Sequence, residues 1–172
     1  TVTCPSDGSN EPEQCGARSN DPCAGAGQTA TPLSPGIGRC GTLDGQNTGS
    51  AWTGDRDVYS ITLTDTDGDG LVRIVVHLQS DSPTFASVVP ASCPANLSTA
   101  RLTVESPNCI DSAGGTCVPP GNYWVVVMPG TAASPGSAKP IICDTPLRYV
   151  VMAEVSQSGC APVCSSNSGP CF

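Results

Sequence analysis

Short stretches of alternating apolar and polar residues recur along the middle of the chain. The clearest run from 57 to 64 and from 71 to 79, where large apolar residues occupy every second position. A period of two is typical of half-buried β-strands. The stretch 65–70 between them contains Asp-Gly steps, which favour turns. We therefore predict an antiparallel hairpin, with His77 on the polar face of its second strand. The residues predicted to enter the core from that strand are Val72, Ile74, Val76 and Leu78.

Four further segments have the composition of short strands, namely 84–89, 100–105, 122–128 and 147–155. Gly and Pro number 19 and 17 among 172 residues, which leaves little room for long helices. Turn signals separate the apolar segments throughout this part of the chain. The sequence therefore predicts an all-β sandwich of about eight short antiparallel strands.

Cysteine is unusually frequent, with eleven residues in the chain. They are Cys4, Cys15, Cys23, Cys40, Cys93, Cys109, Cys117, Cys143, Cys160, Cys164 and Cys171. Zinc is poorly supported, because the chain has one histidine and its cysteines lack paired zinc-ligand spacings. Disulfides are the better explanation, so we expect an extracellular or cell-surface protein, with Thr1 exposed by signal-peptide removal. Because the count is odd, one cysteine is either free or bonded to another chain.

Charge and hydropathy argue against several classes of function. The formal net charge is −8 and the basic residues do not cluster, so we expect no nucleic-acid partner. No apolar run approaches the roughly 18 residues of a membrane-spanning helix, so we expect no membrane insertion. A hydrolase would have to be built on His77, the one histidine, and no Gly-x-Ser-x-Gly motif is present. We therefore expect a protein that is not an enzyme.

Four short motifs, which occur in order between residues 20 and 155, carry a family resemblance. They are Asn-Asp-Pro-Cys-Ala-Gly-Ala at 20–26, Gly-Asp-Arg-Asp-Val-Tyr at 54–59, Pro-Gly-Asn-Tyr-Trp-Val-Val-Val at 120–127, and the closing strand 149–155. In these motifs the chain resembles the bacterial pre-peptidase C-terminal (PPC) domains, modules of secreted and surface proteins. The resemblance implies a jelly-roll-like β-sandwich over 20–155, which the disulfides indicated by the cysteine count would staple. It leaves a cysteine-containing N-terminal extension at 1–19 and a cysteine-rich tail at 156–172, both irregular.

The acidic segment after the first predicted strand is a candidate calcium site. Asp65, Asp67 and Asp69 match the first half of a D-x-D-x-D-G loop, in which alternate carboxylates converge on one cation. The position of the expected bidentate Glu is occupied by Val76, and a strand follows where an EF-hand has a helix. A solvated acidic turn is the alternative, and no cofactor is required. The resemblance implies a second calcium locus formed by Asp21, Asp55 and Asp57.

Two further features concern the surface of the protein. Asn96 begins an N-glycosylation sequon in a predicted loop. The segment 123–128 is apolar on both faces of its strand, so its second face needs a cover, from a loop of this chain or from another molecule. The interface residues expected for contact with another molecule are Tyr123, Trp124, Val126, Met128 and Cys171.

These observations lead to a functional expectation and an alternative. We expect a non-enzymatic structural subunit of a bacterial surface that self-associates into a filament, layer or coat. Its partners would be copies of itself, joined through the terminal segments, because these segments hold five cysteines and lie outside the resemblance. The alternative is a secreted module, associated with an enzyme, that binds protein, polysaccharide or calcium. At least four intrachain disulfides are expected in either case.

Overall fold

The strands of the chain form two packed β-sheets in the computed structural model, which describes residues 3–4, 8–10, 22–23, 28–47, 52–136, 141 and 147–160. In chain order they are β1 (Ser9–Asn10), β2 (Thr31–Pro32), β3 (Arg39–Leu43), β4 (Gly45–Asn47), β5 (Trp52–Gly54), β6 (Asp57–Leu63), β7 (Val72–Ser80), β8 (Thr84–Pro90), β9 (Leu102–Ser106), β10 (Ser112–Val118), β11 (Gly121–Thr131), β12 (Ser134–Pro135) and β13 (Leu147–Ser156). One 3₁₀ turn, Leu97–Thr99, lies between β8 and β9. The predicted all-β sandwich is confirmed.

Sheet A has the strand order β1-β3-β13-β7-β10, and sheet B has the order β2-β6-β11-β8-β9. In addition, β12 pairs with the end of β11, and β4 and β5 form a small separate sheet. The pairings of β1 with β3 and of β2 with β6 are parallel, which the prediction of antiparallel strands missed. Both involve two-residue strands whose sequences carry no period-two pattern.

The main core lies between the two sheets and is built from alternate residues of their strands. The predicted register of β7 is confirmed, because its four core residues are fully buried: Val72, Ile74, Val76 and Leu78. From sheet B, β6 buries Tyr59, Ile61 and Leu63 in the same cluster. His77 lies on the opposite, outer face of sheet A and is half-buried.

The predicted hairpin of 57–64 and 71–79 is wrong. β6 lies in sheet B beside β2 and β11, whereas β7 lies in sheet A beside β13 and β10. The acidic loop between them therefore crosses from one sheet to the other. Alternation identifies the buried face of a strand but does not identify its hydrogen-bonding neighbour. Both strands bury their apolar faces in one core, so the same pattern fits a hairpin and a connection between facing sheets.

Sheet B is buried on both of its faces. A second cluster on its outer face consists of Val58, Phe85, Val89, Val126 and Met128, with Ala30, Ala95, Leu97, Ala100 and Trp124 packed against it. The cover for β11 therefore comes from this chain. Of the residues expected to contact another molecule, Tyr123 lies in the main core, and Val126 and Met128 lie in the second cluster. This corrects their assignment as an interface, because buried side chains cannot reach a second copy. Trp124 is half-buried, and Cys171 lies outside the described residues.

The region 90–119 contributes two strands to the sandwich, whereas its sequence pattern predicted only one, at 100–105. It contains β9 at the edge of sheet B and β10 at the edge of sheet A. β10 includes Gly114 and Gly115, and glycine is depleted in strands, which hides this strand from sequence patterns. Gly114 is needed there because a Cβ at that position would lie 2.9 Å from Cγ2 of Val104 on β9. The two edge strands thus approach each other closely.

Three disulfides join segments that are distant in the sequence: Cys4–Cys40, Cys23–Cys93 and Cys117–Cys160. Among the described cysteines, Cys109 is free and exposed. The prediction of a disulfide-stapled sandwich is confirmed. The remaining cysteines, Cys15, Cys143, Cys164 and Cys171, lie outside the described residues, so the expectation of at least four bridges stays a prediction. Within the described ranges, the structure contains no helix with the length and hydrophobicity that a membrane span requires.

Candidate functional site

The acidic loop between β6 and β7 brings its three predicted ligand residues together. One carboxylate oxygen from each of Asp65, Asp67 and Asp69 lies within 4.8 Å of the others. Asp65 Oδ1 accepts the backbone N–H of Gly68 at 2.8 Å, and its Oδ2 accepts that of Gly70 at 2.8 Å. These hydrogen bonds, first from Gly68 and then from Gly70, lower the pKa of Asp65 below its ordinary value of 3.8.

This geometry is compatible with both interpretations of the loop. Three clustered carboxylates offer oxygen ligands to a hard cation. The same carboxylates also stabilise the turn itself, because Asp65 and Asp69 accept backbone N–H groups of the loop. Calcium binding therefore stays a prediction. Titration calorimetry of the wild type and of an Asp67→Asn variant tests it, since the variant retains the backbone contacts of Asp65.

Two acidic residues at the start of β6, Asp55 just before the strand and Asp57 as its first residue, lie in the interior of the protein. Asp57 is fully buried and Asp55 nearly so. The hydroxyl of Tyr149, on β13 in sheet A, donates to Oδ2 of Asp57 in sheet B. Tyr59 and Tyr149 join through their hydroxyl oxygens at 2.6 Å. Because the single hydroxyl hydrogen of Tyr149 points to Asp57, Tyr59 is the donor in that second bond.

This buried network connects the two sheets, and the backbone of β3 packs tightly against it. A Cβ at Gly41 of β3 would overlap the ring and hydroxyl of Tyr149. Two motifs that are far apart in the sequence, the Gly-Asp-Arg-Asp-Val-Tyr segment and the closing strand, thus meet in the core. The calcium locus expected at Asp21, Asp55 and Asp57 stays a prediction, because Asp21 lies outside the described residues.

His77 stands on the outer face of sheet A between two acidic residues. Its Nε2 lies 3.5 Å from Oε1 of Glu154, and its Nδ1 lies 3.9 Å from Oδ1 of Asp111. It borders a shallow cleft of about 300 Å³ whose described lining is Thr3, Gly36, Gly38, His77, Gln79, Asp111, Val150 and Met152. No serine or cysteine occurs among these described lining residues. In this part of the structure the imidazole of His77 therefore lies next to carboxylates.

Asn96 is exposed, as an acceptor for glycosylation must be, and it caps the 3₁₀ turn. Its side-chain oxygen accepts the backbone N–H of Ser98 at 3.0 Å and the hydroxyl of Ser98 at 2.7 Å. The sequon thus forms a compact local turn on the surface. Modification of Asn96 stays a prediction.

The free edge of sheet A is a feature that the sequence patterns did not reveal. β10 is the last strand of this sheet and pairs only with β7 among the described residues. Alternate backbone N–H and C=O groups of such a strand point away from the sheet and can accept a further strand. The strand has seven residues, Ser-Ala-Gly-Gly-Thr-Cys-Val, without charge or proline.

The other edges of the sandwich are less suited to pairing. β1 and β2 are two residues long, and β2 contains Pro32. β9 is five residues long and carries Glu105. Short length, proline and charge are the features by which natural proteins protect an edge from other chains. β10 has none of these features, so it is the edge best suited to strand addition within the described structure.

No family model matches the chain, and no curated protein matches it. It is similar to a crystal structure of the pre-peptidase C-terminal domain of collagenase from Bacillus anthracis. The sequences are 12% identical, the similarity covers 73% of this chain and 94% of that chain, and the TM-score is 0.47.

Proposed function

We propose that this chain is a non-enzymatic extracellular structural module whose copies associate through the free edge of β10. The observation that carries the proposal is the outer backbone edge of this uncharged, proline-free strand, beyond which no further strand lies among the described residues. Strand addition satisfies such groups with main-chain hydrogen bonds and needs no apolar patch. This mode of association does not require the apolar residues of β11, which other residues of the same chain cover.

The disulfides support an extracellular location. Oxidised cysteines persist in secreted and surface proteins, and are rare where thiols are kept reduced. The bridge between Cys117 and Cys160 fixes the edge strand itself, since Cys117 belongs to β10. A stapled edge keeps its extended shape when unpaired, which lowers the ordering cost of adding a strand. The alternative of a binding module is favoured by one observation, the clustered carboxylates of Asp65, Asp67 and Asp69.

The experiment measures the molar mass of the wild type by size-exclusion chromatography with light scattering over a range of concentrations. The test variant is Ala113→Lys, because Ala113 is exposed on β10 and a lysine on an edge strand disfavours pairing. The matched control is Ala91→Lys, which places the same charge on an exposed alanine in a loop. We expect oligomers for the wild type and the control, and monomers for Ala113→Lys. A wild type that is monomeric at every concentration would refute the proposal.

A further inference from the structure

We infer that His77 and Glu154, on the outer face of sheet A, are ligands of a zinc ion, and that Asp111 is a positioning residue for the imidazole. Imidazole together with carboxylate suits zinc, whereas calcium and magnesium prefer sites built from oxygen ligands alone. Such a site uses no cysteine, so it differs from the cysteine-rich zinc sites that the sequence disfavours. It goes beyond the proposed function and does not depend on it.

The register of three neighbouring strands brings these side chains together. His77 lies on β7 in the middle, directly opposite Met152 of β13 and Ala113 of β10. Glu154 follows Met152 by two residues, and Asp111 precedes Ala113 by two residues. Because residues two apart along an extended chain share a face, the imidazole and both carboxylates lie on the outer face of the sheet. Diagonal neighbours on such a face are within reach of long side chains.

Each ring nitrogen of His77 has a carboxylate beside it. Nε2 lies 3.5 Å from Oε1 of Glu154, and Nδ1 lies 3.9 Å from Oδ1 of Asp111. A neutral imidazole carries a hydrogen on one nitrogen and a lone pair on the other. One of the two carboxylates therefore faces a lone pair, and two acceptors that face each other repel unless a cation lies between them. A proton or a metal ion can take that place.

Nε2 is the nitrogen suited to the metal. This atom is buried and has no hydrogen-bond partner among the described residues. A buried acceptor without a partner has lost its hydration and gained nothing in return, so a cation bound there is stabilising. In a tetrahedral site with bonds of about 2.0–2.1 Å, two ligand atoms lie about 3.3–3.4 Å apart. The 3.5 Å between Nε2 of His77 and Oε1 of Glu154 is close to that separation.

The two carboxylates are available to a cation. Within the described ranges, the ion pairs of Glu154 and Asp111 are those with His77. Arg73, a basic residue on the same face of β7, has its Nη1 3.5 Å from the carbonyl of Gly159. Both acidic side chains are more than half exposed, so a hydrated ion reaches them from solvent.

Asp111 has the place of the second carboxylate that commonly orients a metal-bound histidine. Such a group holds the hydrogen on the nitrogen that does not bind the metal, and so fixes the tautomer and the orientation of the ring. With the hydrogen on Nδ1 beside Asp111, the lone pair of Nε2 is directed to the side of Glu154. The two acids thus have different roles, Glu154 as a ligand and Asp111 as a positioning residue.

The test uses the fact that the chain has a single histidine, so every imidazole signal comes from His77. Long-range ¹H–¹⁵N NMR spectra of the full chain are recorded at a pH of about 7.5, where an ordinary histidine is mostly neutral. Zinc chloride is then titrated into the sample. We expect a saturable change centred on Nε2, while Nδ1 retains its hydrogen.

Two variants and a control assign the roles. Asp111→Asn should raise the zinc dissociation constant by about 10–100-fold and shift the free imidazole toward the Nε2–H tautomer, a signature that a merely structural role would not produce. Glu154→Gln should weaken binding more than Asp111→Asn, because it removes the charge of a direct ligand. Glu105→Gln is the matched control, since it removes one exposed carboxylate from sheet B and should bind zinc as the wild type does.

Four outcomes would overturn parts or all of the inference. If zinc leaves the imidazole signals unchanged while acid shifts them, the place beside Nε2 takes only a proton. If calcium causes the same change as zinc, the imidazole senses a nearby charge and is not a ligand. Wild-type binding by Glu154→Gln would exclude Glu154 as a ligand, and wild-type binding by Asp111→Asn would exclude its positioning role. Circular dichroism verifies that each variant is folded, and the oligomeric state, measured separately, decides the proposed function.

Discussion

The Tyr149→Phe substitution tests the buried hydrogen-bond network of Asp57, Tyr59 and Tyr149, which connects the two sheets. This change removes the hydroxyl that donates to Asp57 and accepts from Tyr59. The aromatic ring remains, so the packing against Gly41 and the core is preserved. Any loss of stability therefore measures the polar contacts.

The expected magnitude follows from the two hydrogen bonds. A bond to a buried carboxyl group contributes about 1.5–3 kcal/mol when the group is charged, and a bond between neutral hydroxyls about 0.5–1.5 kcal/mol. Tyr149→Phe removes both, so we expect a loss of about 2–4 kcal/mol. Tyr59→Phe removes the bond between the hydroxyls and leaves the bond from Tyr149 to Asp57 in place, so the loss of the hydroxyl bond should cost about 0.5–1.5 kcal/mol. Tyr149 is thus the central member of the network, and Tyr59 its outer member.

The assay is equilibrium unfolding in guanidinium chloride with the disulfides oxidised, followed by tryptophan fluorescence. Tyr123→Phe is the control, because the Tyr123 hydroxyl donates to the carbonyl of Pro119 at 2.9 Å outside this network. The reasoning is refuted if Tyr59→Phe costs as much as Tyr149→Phe. It is also refuted if Tyr149→Phe costs no more than Tyr123→Phe.

Three further predictions follow from the described residues. Ile74→Ala should destabilise the protein by about 2–5 kcal/mol in the same assay, and His77→Ala by less than about 1 kcal/mol, whereas the reverse order would place the strand one residue out of register. The lowered pKa of Asp65 stabilises the fold above the pKa of the unfolded state, and this stabilisation is lost as the pH falls through the folded value. Acidification below about pH 5 should therefore lower the urea midpoint more in the wild type than in Asp65→Asn, and equal slopes would contradict this. Cys109 is free and exposed, so iodoacetamide should alkylate it in the native protein, and mass spectrometry showing labelling only after denaturation would count against the structure.

The predictions from sequence succeeded where one local signal has one structural meaning. The alternation in β7 identified its buried face, because a strand places successive side chains on opposite sides. The spacing of Asp65, Asp67 and Asp69 placed three carboxylates on one short loop, where they do converge. The number of cysteines indicated disulfides for a reason of redox chemistry alone. None of these inferences required knowledge of which strands are neighbours.

The inferences that failed depended on contacts between distant segments. β6 and β7 were expected to pair because they are adjacent in sequence, but each pairs with later strands, β6 with β11 and β7 with β13 and β10. β10 was missed because its glycines allow close packing against β9, a tertiary requirement that opposes local strand propensity. The buried hydrogen bond of Asp57 was missed, since its partner Tyr149 is 92 residues away in the sequence.

Two features of β10, the edge strand of sheet A, are related: its glycine residues and its disulfide bridge. A glycine-containing strand at a sheet edge gains little from side-chain packing, so β10 would fray if it were held by β7 alone. The bridge from Cys117 to Cys160 ties its end to the segment that follows β13. That bridge therefore joins the edge strand covalently to the segment that follows the central strand β13. A variant designed to test the edge must leave this bridge intact, because its loss would loosen β10 whether or not the edge binds a partner.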